Sequence, residues 1–194
     1  DFRDIAANSL AVKRFDRTIS GVRIHMEDFA QIYQVYPQDK YKMASYAHIG
    51  KVLWSEGGES SYCEFIRRLV FTVAIGNGDM HLKNWSVLYH DPRKPVLSPA
   101  YDFLPTISYI RNDSLALNLA GTKNFYDVTI DKFKKMAEKA KAPEKLTTRI
   151  VEEMTEKILL VWKQNRTDLN MPANVRKDIE AHMAKLLLFK RNQR

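Results

Sequence analysis

The sequence predicts a mainly helical fold with a small β-hairpin or sheet insertion, and two observations lead to that fold class. Apolar residues recur at three- and four-residue spacing in a central segment and through most of the second half of the chain, as they do on the buried face of an amphipathic helix. Short alternating runs bounded by turn residues, which are typical of strands, occur near the start, around residues 85–104 and at 115–119. A chain of 194 residues is long enough for one such domain.

The first elements are predicted from strand-forming residues and from breakers. β-Branched and aromatic side chains at 10–16 and at 22–25 indicate two short strands, with a Ser-Gly turn between them. A helix is expected to follow at 26–33 and to end before Pro37, because proline cannot continue a helix.

Two helices and a hairpin are predicted in the middle of the chain. A helix at 45–54 closes at paired glycines, and a stronger one at 60–75 has a wide apolar face and stops at a Gly-Asn-Gly turn. Strand character at 85–89 resumes at 96–97 and at 101–104, after an Asp-Pro turn. These strands should form the β insertion.

The last part of the chain is predicted to be helical. One more alternating run, at 115–119, precedes helices at 130–140, 144–165 and 172–190. The apolar faces of the last two helices are formed by Ile150, Met154, Ile158 and Trp162, and by Val175, Ile179, Met183 and Leu187.

The composition excludes several classes of protein. The single cysteine, Cys63, rules out an internal disulfide and favours a reducing compartment, and the histidine spacing does not match a zinc site. No apolar run is long enough for a membrane helix and the N-terminus has no secretory signal pattern, so a cytoplasmic protein without a membrane partner is expected. The net charge of +8 is compatible with a nucleic-acid, nucleotide or acidic protein partner.

The chemistry is predicted to lie in the loop after the central helix. Phosphoryl transfer needs a carboxylate that orients the attacking hydroxyl and oxygen ligands that hold Mg²⁺ against the phosphates. Protein kinases place that Asp five residues before a metal-binding Asn, and a second metal-binding Asp follows a hairpin. Asp79 precedes Asn84 by five residues, and Asp102 follows the predicted hairpin. The alternative is that Asp79 and Asn84 are ordinary turn residues, since both types favour turns.

The residues around this loop resemble a known family. Gly78 to Ser86 reads Gly-Asp-Met-His-Leu-Lys-Asn-Trp-Ser, with Tyr-Asp at 101–102 and Arg-Phe-Asp-Arg at 14–17. This combination is similar to the HipA-like toxin kinases, which are bacterial serine/threonine kinases of toxin–antitoxin modules. Met-Glu-Asp-Phe at 26–29 and Thr-Ile-Asp-Lys at 129–132 also fit. The resemblance implies the C-terminal, catalytic lobe of a protein-kinase-like fold over 1–194.

The resemblance assigns roles to three residues of the catalytic loop at 76–86 and to Asp102. Asp79 would be the catalytic base, Asn84 and Asp102 would be Mg²⁺ ligands, and His81 would contact phosphate. Lys83 is expected to face the same loop, with a solvated loop lysine as its alternative. ATP and Mg²⁺ are the implied cofactors, and an antitoxin and an unnamed protein substrate are the implied partners.

The resemblance also implies a nucleotide site at the hinge strand near 10–17. The backbone of Lys13, Arg14 and Phe15 would pair with adenine, and Tyr101 of the metal-binding Tyr-Asp would pack near the base. Core packing is the alternative for Phe15 and Tyr101.

The family's phosphate-binding loop and phosphate-binding lysine have no counterpart before this hinge. Leu10 to Lys13 superficially looks like the kinase strand that carries the paired lysine, but the adjoining Arg-Phe-Asp-Arg favours the hinge. The 194 residues are therefore expected to lack the N-terminal lobe, which would lie elsewhere on the same polypeptide or on another one. The C-terminal helices are expected over 130–192. The isolated chain should fold but have negligible kinase activity.

Two rival functions remain. An aminoglycoside-type phosphotransferase shares Asp-x-His-x-x-Asn, although that group usually has His where Asn77 precedes Gly78. The second is a non-catalytic module that docks an antitoxin or DNA. A lysine-rich helix could make a weak contact with DNA, and the alternative is that its lysines form an ordinary solvated face. The lysines of that helix are Lys132, Lys134, Lys135, Lys139, Lys141 and Lys145.

Overall fold

The fold is mainly helical with one small antiparallel sheet, as predicted. A computed structural model describes residues 12–190. The strands are β1 (His25–Asp28), β2 (Ser86–Asp91) and β3 (Lys94–Leu97), and the helices are α1 (Phe29–Ile32), α2 (Tyr46–Ser55), α3 (Gly58–Ile75), α4 (Ile130–Ala140), α5 (Glu144–Asn165), α6 (Ala173–Met183) and α7 (Leu187–Lys190). Within the described residues, no helix is long and apolar enough to cross a membrane.

Helix α3 is the centre of the core. It packs against α2, α5, α6 and β3, and most of its apolar side chains are buried. Its ends follow from glycine chemistry: Gly58 has φ +74° at the start, and Gly76 has φ +66° at the end. Glycine reaches this left-handed region without a steric cost, so the helix stops at a defined residue.

The sheet has the order β1-β2-β3, with both pairs antiparallel. The predicted hairpin is β2–β3. Strand β2 pairs with β1 through Ser86–Asp28 and Tyr89–His25. The side chains of Val87 and Leu88 are buried, which ties the sheet to the helical core. The sheet therefore fixes where the loop before β2 emerges.

The prediction for the N-terminal strands and helix was wrong in position. Residues 12–16 of the first predicted strand form no strand, and residues 10–11 lie outside the described residues. Here an isolated bridge joins Arg17 to Arg23. The strand predicted at 22–25 lies at His25–Asp28, because its pairing partner is the distant β2.

Helix α1 is shorter than predicted at both ends. Asp28 accepts a hydrogen bond from the Gln31 N–H at 2.8 Å and caps the helix, so the helix begins after Asp28 and not at Met26. It ends at Ile32 because Gln34 has φ +53°, well before Pro37.

Neither 101–104 nor 115–119 is a strand. Asp102 has φ +57°, which is incompatible with extended strand geometry. The run at 115–119 is a buried loop, since Leu115, Ala116, Leu117 and Leu119 are at most 3% exposed. Its apolar residues pack into the core without strand pairing, so an apolar pattern alone did not identify a strand.

The predicted helix over 172–190 is broken after Met183. A continuous helix would direct Leu187 into the core, but Leu187 is 46% exposed. The break buries Leu186, Leu188 and Phe189 instead, each at most 3% exposed. Burial of three large apolar side chains outweighs the helical hydrogen bonds lost at the break.

His182 joins α6 to α3 in the core. It is 3% exposed, its Nε2 lies 2.9 Å from the Val73 carbonyl oxygen, and its Nδ1 lies 3.4 Å from the Tyr126 hydroxyl. Burial lowers the pKa of His182 below its ordinary value. The neutral imidazole therefore bridges the two elements, and a proton on it would be unfavourable.

Acid is expected to weaken the fold through His182. As the pH falls below about 6.5, the unfolded chain takes up a proton that the folded chain does not, so stability is full above that pH and falls below it by up to about 1.4 kcal/mol per pH unit. The free energy of unfolding in urea, at about pH 8 and about pH 5.5, should fall less for His182→Gln than for wild type. Equal decreases would contradict this role, and other titrating groups cancel in the comparison.

Candidate active site

Asp79 is presented by a short turn at the C-terminal end of α3. The turn begins at Gly76, and Asn77 follows with its side chain completely buried. The Asn77 side-chain oxygen accepts a hydrogen bond from the Asp79 N–H at 3.0 Å. This Asx-type turn joins the loop to a rigid helix, so the backbone of Asp79 has little freedom.

The loop from Asp79 to Asn84 closes on itself. The Asn84 side-chain amide donates to the Asp79 carbonyl oxygen at 2.8 Å. The Met80 carbonyl oxygen accepts hydrogen bonds from the Trp85 indole and the Tyr46 hydroxyl, each at 3.3 Å. The five-residue spacing of Asp79 and Asn84 therefore corresponds to a direct hydrogen bond between them. Because the amide nitrogen of Asn84 is engaged, its oxygen is the atom available to a cation.

The Asp79 carboxylate is held by a tyrosine from a distant segment. The Tyr41 hydroxyl donates to Asp79 Oδ1 at 2.5 Å. Burial raises the pKa of Tyr41 to about 12, with further contributions from the hydrogen bond to Asp79 and its charge, so this hydroxyl keeps its proton at neutral pH. The Asp79 side chain is still 41% exposed. One carboxylate oxygen is oriented while the group stays open to solvent.

His81 is buried beside Asp79. Its side chain is 6% exposed, and its Nε2 lies 3.7 Å from Asp79 Oδ1. Burial lowers the pKa of His81, as does the charge of Lys40, while Asp79 and Asp102 act in the opposite direction. The imidazole is therefore neutral near pH 7. Its Nδ1 is buried with no hydrogen-bond partner among the described residues.

Asp102 lies on a strained backbone next to the Asp79 turn. Its φ of +57° is unusual for a residue with a side chain and costs about 1–2 kcal/mol. The Asn77 side-chain nitrogen donates to the Asp102 carbonyl oxygen at 3.4 Å. Asn77 thus joins the two segments that carry Asp79 and Asp102. The Asp102 side chain is exposed and can receive a ligand.

Tyr101 connects the loop to the predicted hinge. Its hydroxyl donates to the Lys83 carbonyl oxygen at 2.9 Å and lies 2.5 Å from the Ser86 hydroxyl. Its ring centroid is 5.6 Å from that of Phe15. Lys13 and Arg14 are exposed. Phe15 and Tyr101 are therefore brought together, while the two basic side chains face solvent.

The side chain of Lys83 does not meet Asp79. Lys83 is exposed, and within residues 12–190 no hydrogen bond or ion pair joins its amine to the catalytic loop. Its carbonyl oxygen, which anchors Tyr101, is the engaged group. The expectation that the lysine faces the same loop stays a prediction that these contacts do not support.

The oxygen ligands suit a metal that is shared with a phosphate. No group of three or more His, Cys, Asp or Glu residues that could hold a metal is found in the described part of the chain. Asp102 supplies one carboxylate and Asn84 one amide oxygen. Mg²⁺ is commonly bound by one or two carboxylates, with substrate phosphates and water completing its coordination. The donor set fits Mg²⁺ held together with a nucleotide.

Two cavities flank the Asp102 loop. One, of about 610 Å³, is lined by Tyr41, Asp79, Tyr109 and Asp113, among others. The other, of about 830 Å³, lies between the loop at 100–104 and helices α3 and α5. Asp79 therefore borders the first cavity and Asp102 the second.

A family model for the HipA-like C-terminal domain matches residues 1–162, which is most of the chain. The chain belongs to this family. It is 45% identical over 188 residues to "Putative kinase Y4dM" of Sinorhizobium fredii, and that match covers 96% of the chain and 46% of the relative. It is 36% identical over 121 residues to "Putative kinase Y4mE" of the same organism, covering 52% of the chain and 26% of the relative. The chain thus spans about half or less of these relatives.

The HipA-like fold is also seen in a solved structure. The chain matches HipA in a complex of Shewanella oneidensis HipA, HipB and operator DNA, with a TM-score of 0.66 and 19% identity. The match covers 91% of this chain and 46% of HipA. At this identity the likeness concerns the fold alone. The mainly helical arrangement with a three-stranded antiparallel sheet is therefore a HipA-like fold.

The sequence did not indicate four residues of the candidate site. Asn77 was predicted to lie in the Gly-Asn-Gly turn that ends the central helix but was given no role at the site, although an Asn two residues before an N–H is a known turn signal. Tyr41, Thr106 and Asp113 had no local signal, because each reaches the turn from a distant part of the chain.

The lysine-rich helix is only partly free. Lys132 donates to the Ala120 carbonyl oxygen at 3.1 Å, and Lys134 lies 3.5 Å from Asp131. The expected helix around 132–145 is interrupted, because α4 ends at Ala140 with Lys141 as its left-handed C-cap, and Lys145 lies in α5. The exposed lysines of this cluster are Lys135, Lys139, Lys141 and Lys145.

Proposed function

We propose that this chain is the catalytic C-terminal lobe of an ATP-dependent serine/threonine protein kinase that works in a toxin–antitoxin module. One observation carries the proposal: Asp79 contacts Asn84, and Asn77 connects the same turn to Asp102. The three residues that phosphoryl transfer needs are thus held by one hydrogen-bonded unit. Membership of the HipA-like family and the names of the relatives support it.

Asp79 would act as the general base. Tyr41 holds one carboxylate oxygen at 2.5 Å, and the exposed remainder of the group can accept the proton of a substrate hydroxyl. An acceptor hydroxyl oriented in this way attacks the transferred phosphate in line. His81 is neutral, so it would donate a hydrogen bond to phosphate but add no charge.

Asn84 and Asp102 would hold Mg²⁺, with the nucleotide phosphates as its other ligands. A bound ion would neutralise charge on the transferring phosphate. The left-handed backbone at Asp102 supports this role, because strain of this kind is usually retained where it positions a functional group. The backbone of Lys13 to Phe15, with the ring of Tyr101, would accommodate adenine.

The remaining parts of the nucleotide site would come from outside this chain. The match covers only 46% of "Putative kinase Y4dM", and the phosphate-binding loop and lysine would lie in the unmatched part of that relative. We therefore propose that an N-terminal lobe, in cis or in trans, completes the enzyme. The 194-residue chain alone should bind and use ATP poorly.

An antitoxin and DNA are proposed as partners. HipA of Shewanella oneidensis is found together with HipB and operator DNA. In this chain the exposed lysines at 135, 139, 141 and 145 provide a positive surface that would attract phosphates weakly and in a salt-dependent way.

Transfer of labelled phosphate from ATP tests the reaction class. The full-length gene product, with Mg²⁺, should phosphorylate serine or threonine in protein acceptors or in itself, and should leave aminoglycosides unmodified. Phosphorylation of an aminoglycoside at a comparable rate would favour the small-molecule enzyme. Salt-dependent DNA binding without any transfer would favour a docking module.

A further inference from the structure

A threonine after the Asp102 loop is hydrogen-bonded to the turn that carries Asp79. Thr106 is 5% exposed, and its hydroxyl accepts a hydrogen bond from the Gly78 N–H at 2.6 Å. The same hydroxyl lies 3.0 Å from the Gly76 carbonyl oxygen and makes a short contact with the Asp113 carboxylate. Its single proton can go to one of these acceptors at a time, and the charged carboxylate is the stronger one.

Asp113 is itself fixed from two sides. Its Oδ1 accepts a hydrogen bond from the Ser114 N–H at 2.8 Å, while Oδ2 receives the Thr106 hydroxyl. A Cβ placed on Gly78 would lie 2.5 Å from the Asp113 side-chain carbon, which is closer than real contacts allow. The glycine before Asp79 is therefore what lets this carboxylate approach the turn.

Gly76 is a second glycine that lets segment 104–114 pack closely against the turn. A Cβ on Gly76 would lie 2.6 Å from the Ile107 side chain, and the Ile107 N–H donates to the Gly76 carbonyl oxygen at 3.2 Å. Segment 104–114 is thus packed against both ends of the turn. Movement of this segment would be passed to the residue that follows Gly78.

We propose that Thr106 and Asp113 are positioning residues for Asp79, and we call Gly78, Thr106 and Asp113 the Thr106 clamp. The clamp fixes the position of the Gly78 N–H, one residue before the proposed base. The orientation of Asp79 therefore depends on the position of the segment after Asp102. The inference rests on the proposed function of Asp79. In addition, Asp79 is correctly oriented only when segment 104–114 is ordered.

The clamp should affect turnover more than nucleotide binding. A displacement of about 1 Å can cost about 10²-fold in rate. Among the described residues, no hydrogen bond or ion pair joins Asn84 or Asp102 to Thr106 or Asp113. Thr106→Val keeps the shape and removes the hydroxyl. We expect it to lower kcat about 10- to 100-fold, with KM for Mg–ATP changed by less than about threefold.

Two variants separate positioning from simple loss of packing. Thr106→Ser keeps the hydroxyl and should restore kcat to within about threefold of wild type. Ser108→Ala is the matched control, since the Ser108 hydroxyl lies in the same 3-10 turn, is buried and has no partner within residues 12–190. Removing an unsatisfied buried hydroxyl should leave kcat unchanged and stability unchanged or higher.

The experiment measures kcat and KM for ATP-dependent phosphate transfer by the full-length gene product and these variants, with Asp79→Asn in parallel. Loss in Thr106→Val, recovery in Thr106→Ser and no loss in Ser108→Ala support the clamp. Unchanged turnover in Thr106→Val, or an equal loss in Ser108→Ala, overturns it. If Thr106→Val does not fold, Asp113→Asn replaces it: about tenfold lower kcat supports the clamp and wild-type kcat overturns it. Wild-type turnover in Asp79→Asn would instead reject the proposed base.

Discussion

Replacing Asp102 by Asn is expected to weaken Mg²⁺-dependent ATP binding to the full-length gene product by at least about 10- to 100-fold. Loss of a residue that only supports a metal ligand typically costs that much affinity, and loss of a direct anionic ligand should cost no less. The fold should be unaffected, because the Asp102 side chain is exposed and its carbonyl oxygen keeps the contact with Asn77.

Titration calorimetry with Mg–ATP, and with ATP in excess EDTA, measures this effect. Asp168→Asn is a matched control, since Asp168 is an exposed aspartate in the loop between α5 and α6. The control should bind Mg–ATP as wild type does. The metal assignment fails if Asp102→Asn also keeps wild-type affinity while thermal unfolding is unchanged.

Asp79→Asn is expected to lower the rate of phosphate transfer by about 10²- to 10⁴-fold, the usual contribution of a general base. Asparagine keeps the shape of the side chain and can still accept the Tyr41 hydroxyl, but it cannot take the proton of the acceptor. Affinity for Mg–ATP should change little because Asn84 and Asp102 remain. In cells, any growth arrest caused by the protein should be lost as well.

The alternative explanation of Asp79 predicts a different result. If this residue only stabilises the turn after Gly78, asparagine should replace it with little loss, because Asn and Asp cap and turn almost equally well. The hydrogen bond from the Asp79 N–H to Asn77 is a backbone contact and would survive. Near-wild-type turnover with wild-type affinity would therefore leave Asp79 as a turn residue.

The long helices could be predicted because their signals are local. The sequence indicated helices at 60–75, 130–140 and 144–165, and they lie at Gly58–Ile75, Ile130–Ala140 and Glu144–Asn165. Apolar periodicity and flanking glycine or proline determine such elements. The N-terminal strands were misplaced because the position of β1 depends on pairing with β2, about 60 residues away.

The core of the candidate site could be predicted for the same reason. Asp79, Asn84 and Asp102 are separated by spacings that phosphotransfer chemistry constrains, and the hydrogen bond between Asn84 and Asp79 is local. Tyr41 and Thr106 reach the same turn through tertiary packing, which leaves no periodicity or spacing in the sequence. What escaped prediction is therefore the set of contacts that orient Asp79.

The most direct test of the account is a single-turnover measurement of labelled phosphate transfer by the full-length gene product, wild type beside Asp79→Asn, with Mg–ATP saturating in both. Single-turnover conditions separate chemistry from nucleotide binding and product release. If Asp79 is the general base, the wild type transfers phosphate and the variant does so about 10²- to 10⁴-fold more slowly at equal occupancy. Equal rates in the two proteins, or no transfer by a wild type that binds Mg–ATP, would contradict this role.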